Sequence, residues 1–137
     1  MKRGWIDYVI PQLYWHIGFA PADHELLLNW WSEWRYARNM YVGHAIYKIA
    51  TDSQEAWDNP SELPRQIRLN RQTDGSTGSA HFSTSKLLNN QLGIIDSLRY
   101  QYQYFSKIPE MIWLNTPIVM PVKPISIKNE GNGNLLQ

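Results

Sequence analysis

The placement of aromatic side chains constrains this chain more than any other feature. Seven tryptophans, eight tyrosines and three phenylalanines occur among 137 residues, and they are not spread evenly. Residues 1–57 carry Trp5, Trp15, Trp30, Trp31, Trp34 and Trp57, with Tyr8, Tyr14, Tyr36, Tyr41, Tyr47 and Phe19. Tyr100, Tyr102, Tyr104, Phe105 and Trp113 form a second cluster, and only Phe82 falls between positions 58 and 99. Each ring brings roughly 150–250 Å² of surface to bury. The expected core is therefore built from the first third of the chain and a late segment, with the middle left at the surface. A chain of this length closes a core without disulfides or metals. The absence of cysteine excludes a disulfide framework, thiolate catalysis and Cys-ligated metal sites.

Apolar spacing predicts two principal helices. Leu27, Trp30, Trp34, Tyr41, Ala45 and Ile49 fall on one helical stripe within 22–49, preceded by Pro21 and with Asp23 and Glu25 in the first turn. Gly43 is the weak point of that element. Ser83, Thr84 and Ser85 are good N-caps for a second helix over 84–107, with Leu88, Leu92, Ile95, Leu98, Tyr102 and Phe105 at helical steps and Pro109 as its stop. Trp34 and Ile95 are the expected contact between the two. Residues 5–19 read as a short helix or two buried extended pieces, interrupted by Pro11 and Gly18. Residues 51–81 read as irregular, with Pro60 and Pro64 as turn signals and 73–79 as the most loop-like run. Pro117, Pro121 and Pro124 restrict residues 111–128 to edge strands or an extended arm. The predicted fold is a mainly α single domain over 1–128, with short extended segments near the termini and a polar tail over 129–137; α+β is the alternative.

Lys plus Arg total 13 and Asp plus Glu 12, a net charge of +1 that is no footprint of a dedicated nucleic-acid binder. Charged residues make up only 18% of the chain. A weakly charged, aromatic-rich surface predicts a protein partner or homo-oligomer, with an anionic ligand or nucleic acid as further partners. No apolar run is long enough for a membrane span, and no leader pattern opens the chain, so a cytoplasmic location is expected. No metal or cofactor motif occurs: HExxH and GxxxxGK[ST] are absent.

The candidate binding surface spans residues 65–86. Arg65, Arg68 and Arg71 recur every third residue and supply bidentate donors; Gln72 extends the patch. Ser76, Thr77 and Ser79 sit among Gly75 and Gly78, ahead of Ser83 and Lys86 at a helix start, the physical parts of an anion site. A flexible solvent loop is the alternative. Trp30, Trp31 and Trp34 cannot all face one core, since neighbouring positions differ by about 100° on a helix, and Trp31 is assigned to a partner surface. The expected function is a non-enzymatic interaction protein, an inhibitor or a subunit of an assembly. The alternatives are a phosphate- or nucleotide-binding module at 65–86, and a small hydrolase or transferase with His81 as its acid/base.

Overall fold

The computed structural model describes residues 1–114. Three short parallel strands lie side by side in chain order: β1 (Tyr8–Val9), β2 (Asn39–His44) and β3 (Ser76–His81). Helix α1 (His24–Trp34) connects the first pair and α2 (Glu62–Gln72) the second. The short α3 (Thr84–Leu87) and α4 (Ile94–Gln101) follow.

Local chemistry explains where α1 lies. Asp23 caps it by accepting from Leu26 N at 3.0 Å, and Glu25 occupies the first turn. The helix stops at Trp34 because Tyr36 and Ala37 adopt left-handed backbone, with φ of 49° and 58°. In α2, Pro64 falls within the first turn, where its missing amide costs nothing. Gly43 is required by the close approach of the residues following β1. Its amide donates to Pro11 O at 2.9 Å, its carbonyl accepts from Leu13 N at 3.1 Å, and an added Cβ would meet Pro11 O at 3.0 Å.

The helices cover one face of the sheet only. Leu13, Leu28, Met40 and Val42 form a buried cluster under α1, against which Val9, Leu27, Trp31 and Leu69 pack. Ala45, Ile46, Ile49, Trp57, Leu63, Ile67 and Ile94 form a second beneath α2 and α4. On the opposite face Tyr8 and Ile10 stand half exposed. Parallel sheets are ordinarily covered on both faces; among the described residues this one is covered on one.

A mainly α fold is thus overturned, and the α+β alternative fits. Residues 22–49 are a helix followed by a strand, not one helix. Residues 51–81 are not irregular surface: they supply Trp57, Leu63 and Ile67 to the core, and 76–81 is a strand. The expected helix over 84–107 breaks at Asn90 and Leu92, both left-handed. Trp34 is 47% exposed and not in the core, whereas Ile95 packs against the Ile94 cluster. Helices α1 and α4 each contact α2. The polar tail at 129–137 and most of the expected proline-rich arm lie outside the described residues.

Candidate functional site at the strand carboxyl ends

In sheets of parallel strands, ligands bind beyond the carboxyl ends of the strands. Here a cleft of about 300 Å³ opens at that position, lined by Ile10, Gln12, Tyr14, Gly43, Ala80, His81 and Phe82. The side chains of Ile10, Gln12 and Tyr14 reach it because residues 10–14 continue β1 in extended form, bridged to β2 at Gln12 and Gly43. Ala80 and Phe82 arrive from β3 by the same alternation. Phe82 N donates to His44 O at 3.0 Å and Tyr47 N to Phe82 O at 3.2 Å, which ties the ends of β2 and β3 together.

Three aromatic rings interlock at the edge of the cleft, of which Tyr14 and Phe82 line it and Tyr47 packs behind them. Tyr14 and Phe82 stack at 6.3 Å and 24°, and Tyr47 meets both edge-on, at 5.9 Å and 6.0 Å. Burial, and then the neighbouring Tyr47 hydroxyl, push the Tyr14 phenol above its ordinary value, so it stays a neutral donor. The glycine and alanine at positions 43 and 80 keep the floor low between these rings.

A histidine stack lies on the helix-covered side of the same strand ends. His44 is fully buried between His24, at 5.8 Å and 19°, and His81, at 5.2 Å and 24°. Gln66 Oε1 can only accept, so His44 Nδ1, 3.0 Å away, carries the proton. His44 Nε2 then accepts from Asn70 Nδ2 at 2.9 Å and from Ser79 Oγ at 3.1 Å. Burial drives the His44 pKa down to about 3 and lowers those of His24 and His81 as well. His81 Nε2 lies 3.0 Å from the Tyr102 hydroxyl, and its Nδ1 is buried without a partner. Glu62, also buried, accepts from Ile17 N at 2.8 Å and from Gln66 Nε2 at 2.9 Å, and pairs with Arg65 at 3.8 Å. It clamps the loop after β1 to α2.

The residues singled out from the sequence are dispersed by this fold. Arg65, Arg68 and Arg71 are exposed on α2. Arg65 pairs with Glu62, Arg68 borders a shallow depression with Tyr100, and Arg71 Nη1 donates to Gln101 Oε1 at 3.0 Å while its guanidinium covers Tyr102. Gln72 is exposed at the end of α2. Ser76 pairs with β2, Thr77 stands at an irregularity in the ladder with its Oγ1 donating to Met40 O at 2.9 Å, and Ser79 is bound to His44. Ser83 precedes α3, and Lys86 lies in its last turn. Trp31 is half-buried against the core under α1. Anion binding gains no support: the Gly/Ser run is a strand whose backbone amides serve the ladder with β2, and α3 has only one turn. Of the singled-out residues only His81 borders the cleft. Tyr14, Tyr47, Phe82 and Gln12 escaped notice, although the alternation Tyr8, Ile10, Gln12, Tyr14 is a period-two signal for one face of an extended segment.

The fold and cleft define a small mixed α+β domain with an uncharged, aromatic-lined site at its strand ends. No protein-family model matches the chain. Over 140 residues it is 41% identical to glycosyl hydrolase YngK of Bacillus subtilis strain 168, an alignment that takes in all of this chain and 28% of that protein. It is 28% identical over 89 residues to glycosyl hydrolase DigH of Escherichia coli K12, covering 60% of this chain and 20% of the relative. The chain therefore spans less than a third of the length of these relatives. Their names point to an enzyme family and overturn the expectation of a non-enzymatic interaction protein; the hydrolase alternative is the better supported. No described helix is long and apolar enough to cross a membrane.

Proposed function

We propose that this chain forms part of a glycoside-hydrolase fold and that its cleft binds a neutral oligosaccharide. The observation that carries this reading is the ring cluster of Tyr14, Tyr47 and Phe82 at the strand carboxyl ends. Pyranose rings present apolar C–H faces that pack on aromatic rings, and hydroxyls that need neutral partners such as Gln12 and the un-ionised Tyr14 phenol. The 41% identity to a named glycosyl hydrolase supports the same ligand class.

Glycoside cleavage ordinarily uses two carboxylates flanking the bond. The described lining holds none, and Glu62 is committed to Ile17, Gln66 and Arg65. The role assigned to the cleft is therefore to bind and orient sugar, not to break the bond. His81 borders the cleft through its strand while its ring turns to the His44 side. A buried, neutral His81 suits holding Tyr102 and the strand end better than proton transfer to a glycosidic oxygen.

Titration of the folded chain with neutral oligosaccharides, followed by nuclear magnetic resonance, tests this. Saturable shifts at Gln12, Tyr14 and Phe82 are expected, and Tyr14→Ala should weaken binding about tenfold, the order of one lost aromatic contact. Binding that ignores both Tyr14→Ala and Phe82→Ala, or no binding by any neutral sugar, overturns the reading.

A further inference from the structure

We infer that Gln66 and Glu62 are positioning residues for the cleft, a role that rests on the proposed function for its ligand: from α2 they hold the main chain beside Tyr14 and so fix its ring where the ligand meets it.

The ladder with β2 stops just short of Tyr14. Leu13 N donates to Gly43 O, and among the described residues no backbone bond to β2 follows it. From there side chains take the place of the sheet. His24 Nδ1 donates to Leu13 O at 3.2 Å, and Gln66 Nε2 donates to Trp15 O at 3.3 Å. Ile17 N donates to Glu62 Oε1 at 2.8 Å, and Gly18 N donates to the Asp23 carboxylate. Peptide groups on both sides of Tyr14 are thereby fixed by the start of α1 and by α2. Within residues 13–18, Tyr14 is the one that lines the cleft.

Gln66 is fully buried and its amide has one workable orientation. Trp15 O and the Glu62 carboxylate can only accept, so they take the two hydrogens of Nε2, and Gln66 Oε1 accepts from His44 Nδ1 at 3.0 Å. Glu62 and Gln66 stand four residues apart, on one face of α2. Burying a carboxylate and an amide costs free energy that a leucine of similar size would not. What the polar pair adds is direction. The segment carrying Tyr14 cannot slide along α2 without leaving buried groups unpaired. Contacts of this kind set the geometry of a site before its ligand arrives. Glu62 uses Oε1 for both Ile17 and Gln66, whereas Oε2 only faces the exposed Arg65 at 3.8 Å. The acceptor, not the charge, is what the segment needs.

Oligosaccharide titration of the full chain tests this. Gln66→Met and Glu62→Ala should each weaken binding about fivefold, the order of one lost hydrogen bond, with circular dichroism unchanged. Glu62→Gln, which keeps the acceptor, should bind like the wild type. On a Tyr14→Ala background Gln66→Met should cost no further affinity, because the ring through which it acts is gone. Without ligand, the Ile17 amide should exchange about fivefold faster in Glu62→Ala. Nuclear Overhauser contacts between the Tyr14 and Phe82 rings should weaken in Gln66→Met. Ile67→Val, a buried change on the same helix, should lower the thermal midpoint and leave affinity alone. Gln66→Asn, which keeps the amide but shortens its reach, carries the comparison if Gln66→Met fails to fold. Equal loss of affinity in Ile67→Val overturns the inference in favour of a purely structural role, as do additive losses from Tyr14→Ala and Gln66→Met. Unaltered exchange and ring contacts in the variants overturn it as well. A wild type that binds no sugar overturns the proposed function; exchange and ring contacts, which need no ligand, then decide by themselves whether the pair positions Tyr14.

Discussion

The two faces of the same three strands are built for different purposes. On the helix-covered face Met40, Val42 and His44 are fully buried. One residue further along β2, Tyr41 and Gly43 turn to the face where Tyr8, Ile10 and Phe82 stand exposed and the cleft opens. The first face carries the apolar burial that stabilises the domain. The second sacrifices burial to keep rings available. Stability and binding should therefore separate by the face a side chain occupies, Gly43 excepted because its backbone joins β2 to residues 11–13.

Acid should strike the buried face hardest. His44, with its pKa near 3, and the lowered His24 and His81 bind fewer protons folded than unfolded. Their stabilisation is complete above the unfolded value of about 6.5 and is lost as pH falls below it, for His44 down to about 3, at about 1.4 kcal/mol per pH unit for each group titrating. Denaturant midpoints between pH 7 and 4 should fall steeply, and His44→Gln should flatten the slope by about one proton. A midpoint that does not move over that range would show that the stack is not buried as described.

Leu28→Ala removes a fully buried side chain between α1 and β2 and should cost about 2–5 kcal/mol, read as a lower thermal midpoint. Gly43→Ala places a Cβ 3.0 Å from Pro11 O and should cost about 1–3 kcal/mol. It should also weaken oligosaccharide binding, because it pushes residues 11–14, and Tyr14 with them, off β2. Phe82→Ala sits at the other extreme: its side chain is largely exposed, so stability should stay within about 0.5 kcal/mol while binding falls. A large stability loss on Phe82→Ala would erase the distinction between the faces.

Parts of this arrangement were legible in the residues alone. Pro21 and Asp23 mark the start of α1, but the stripe of Leu27, Trp30 and Trp34 misplaces its inner face: Leu28 and Trp31 pack inward, while Trp30 and Trp34 are about half exposed. Ser83 marks the start of α3. The alternation Tyr8, Ile10, Gln12, Tyr14 already describes an extended segment with one aromatic face. Misreadings arose where one pattern fitted two structures. Tyr41, Ala45 and Ile49 continue the stripe of α1 by seven- and four-residue steps, yet they belong to a strand and the turn after it, because Tyr36 and Ala37 reverse the chain.

Strand β3 shows most plainly what the sequence determined and what only the tertiary structure decided. Ser76-Thr77-Gly78-Ser79-Ala80-His81 has little β propensity and no apolar alternation. It is extended because β2 offers a ladder and because Ser79 completes the hydrogen bonds of a buried histidine; Gly78 permits the close approach, since an added Cβ there would stand 2.9 Å from the Tyr41 ring. The sequence by itself determined that the chain is cysteine-free, weakly charged and rich in rings needing partners. Which rings were buried, which were left facing a cleft, and which lined the back of α1 depended on pairing between residues 30 to 40 positions apart, and no local pattern encodes that.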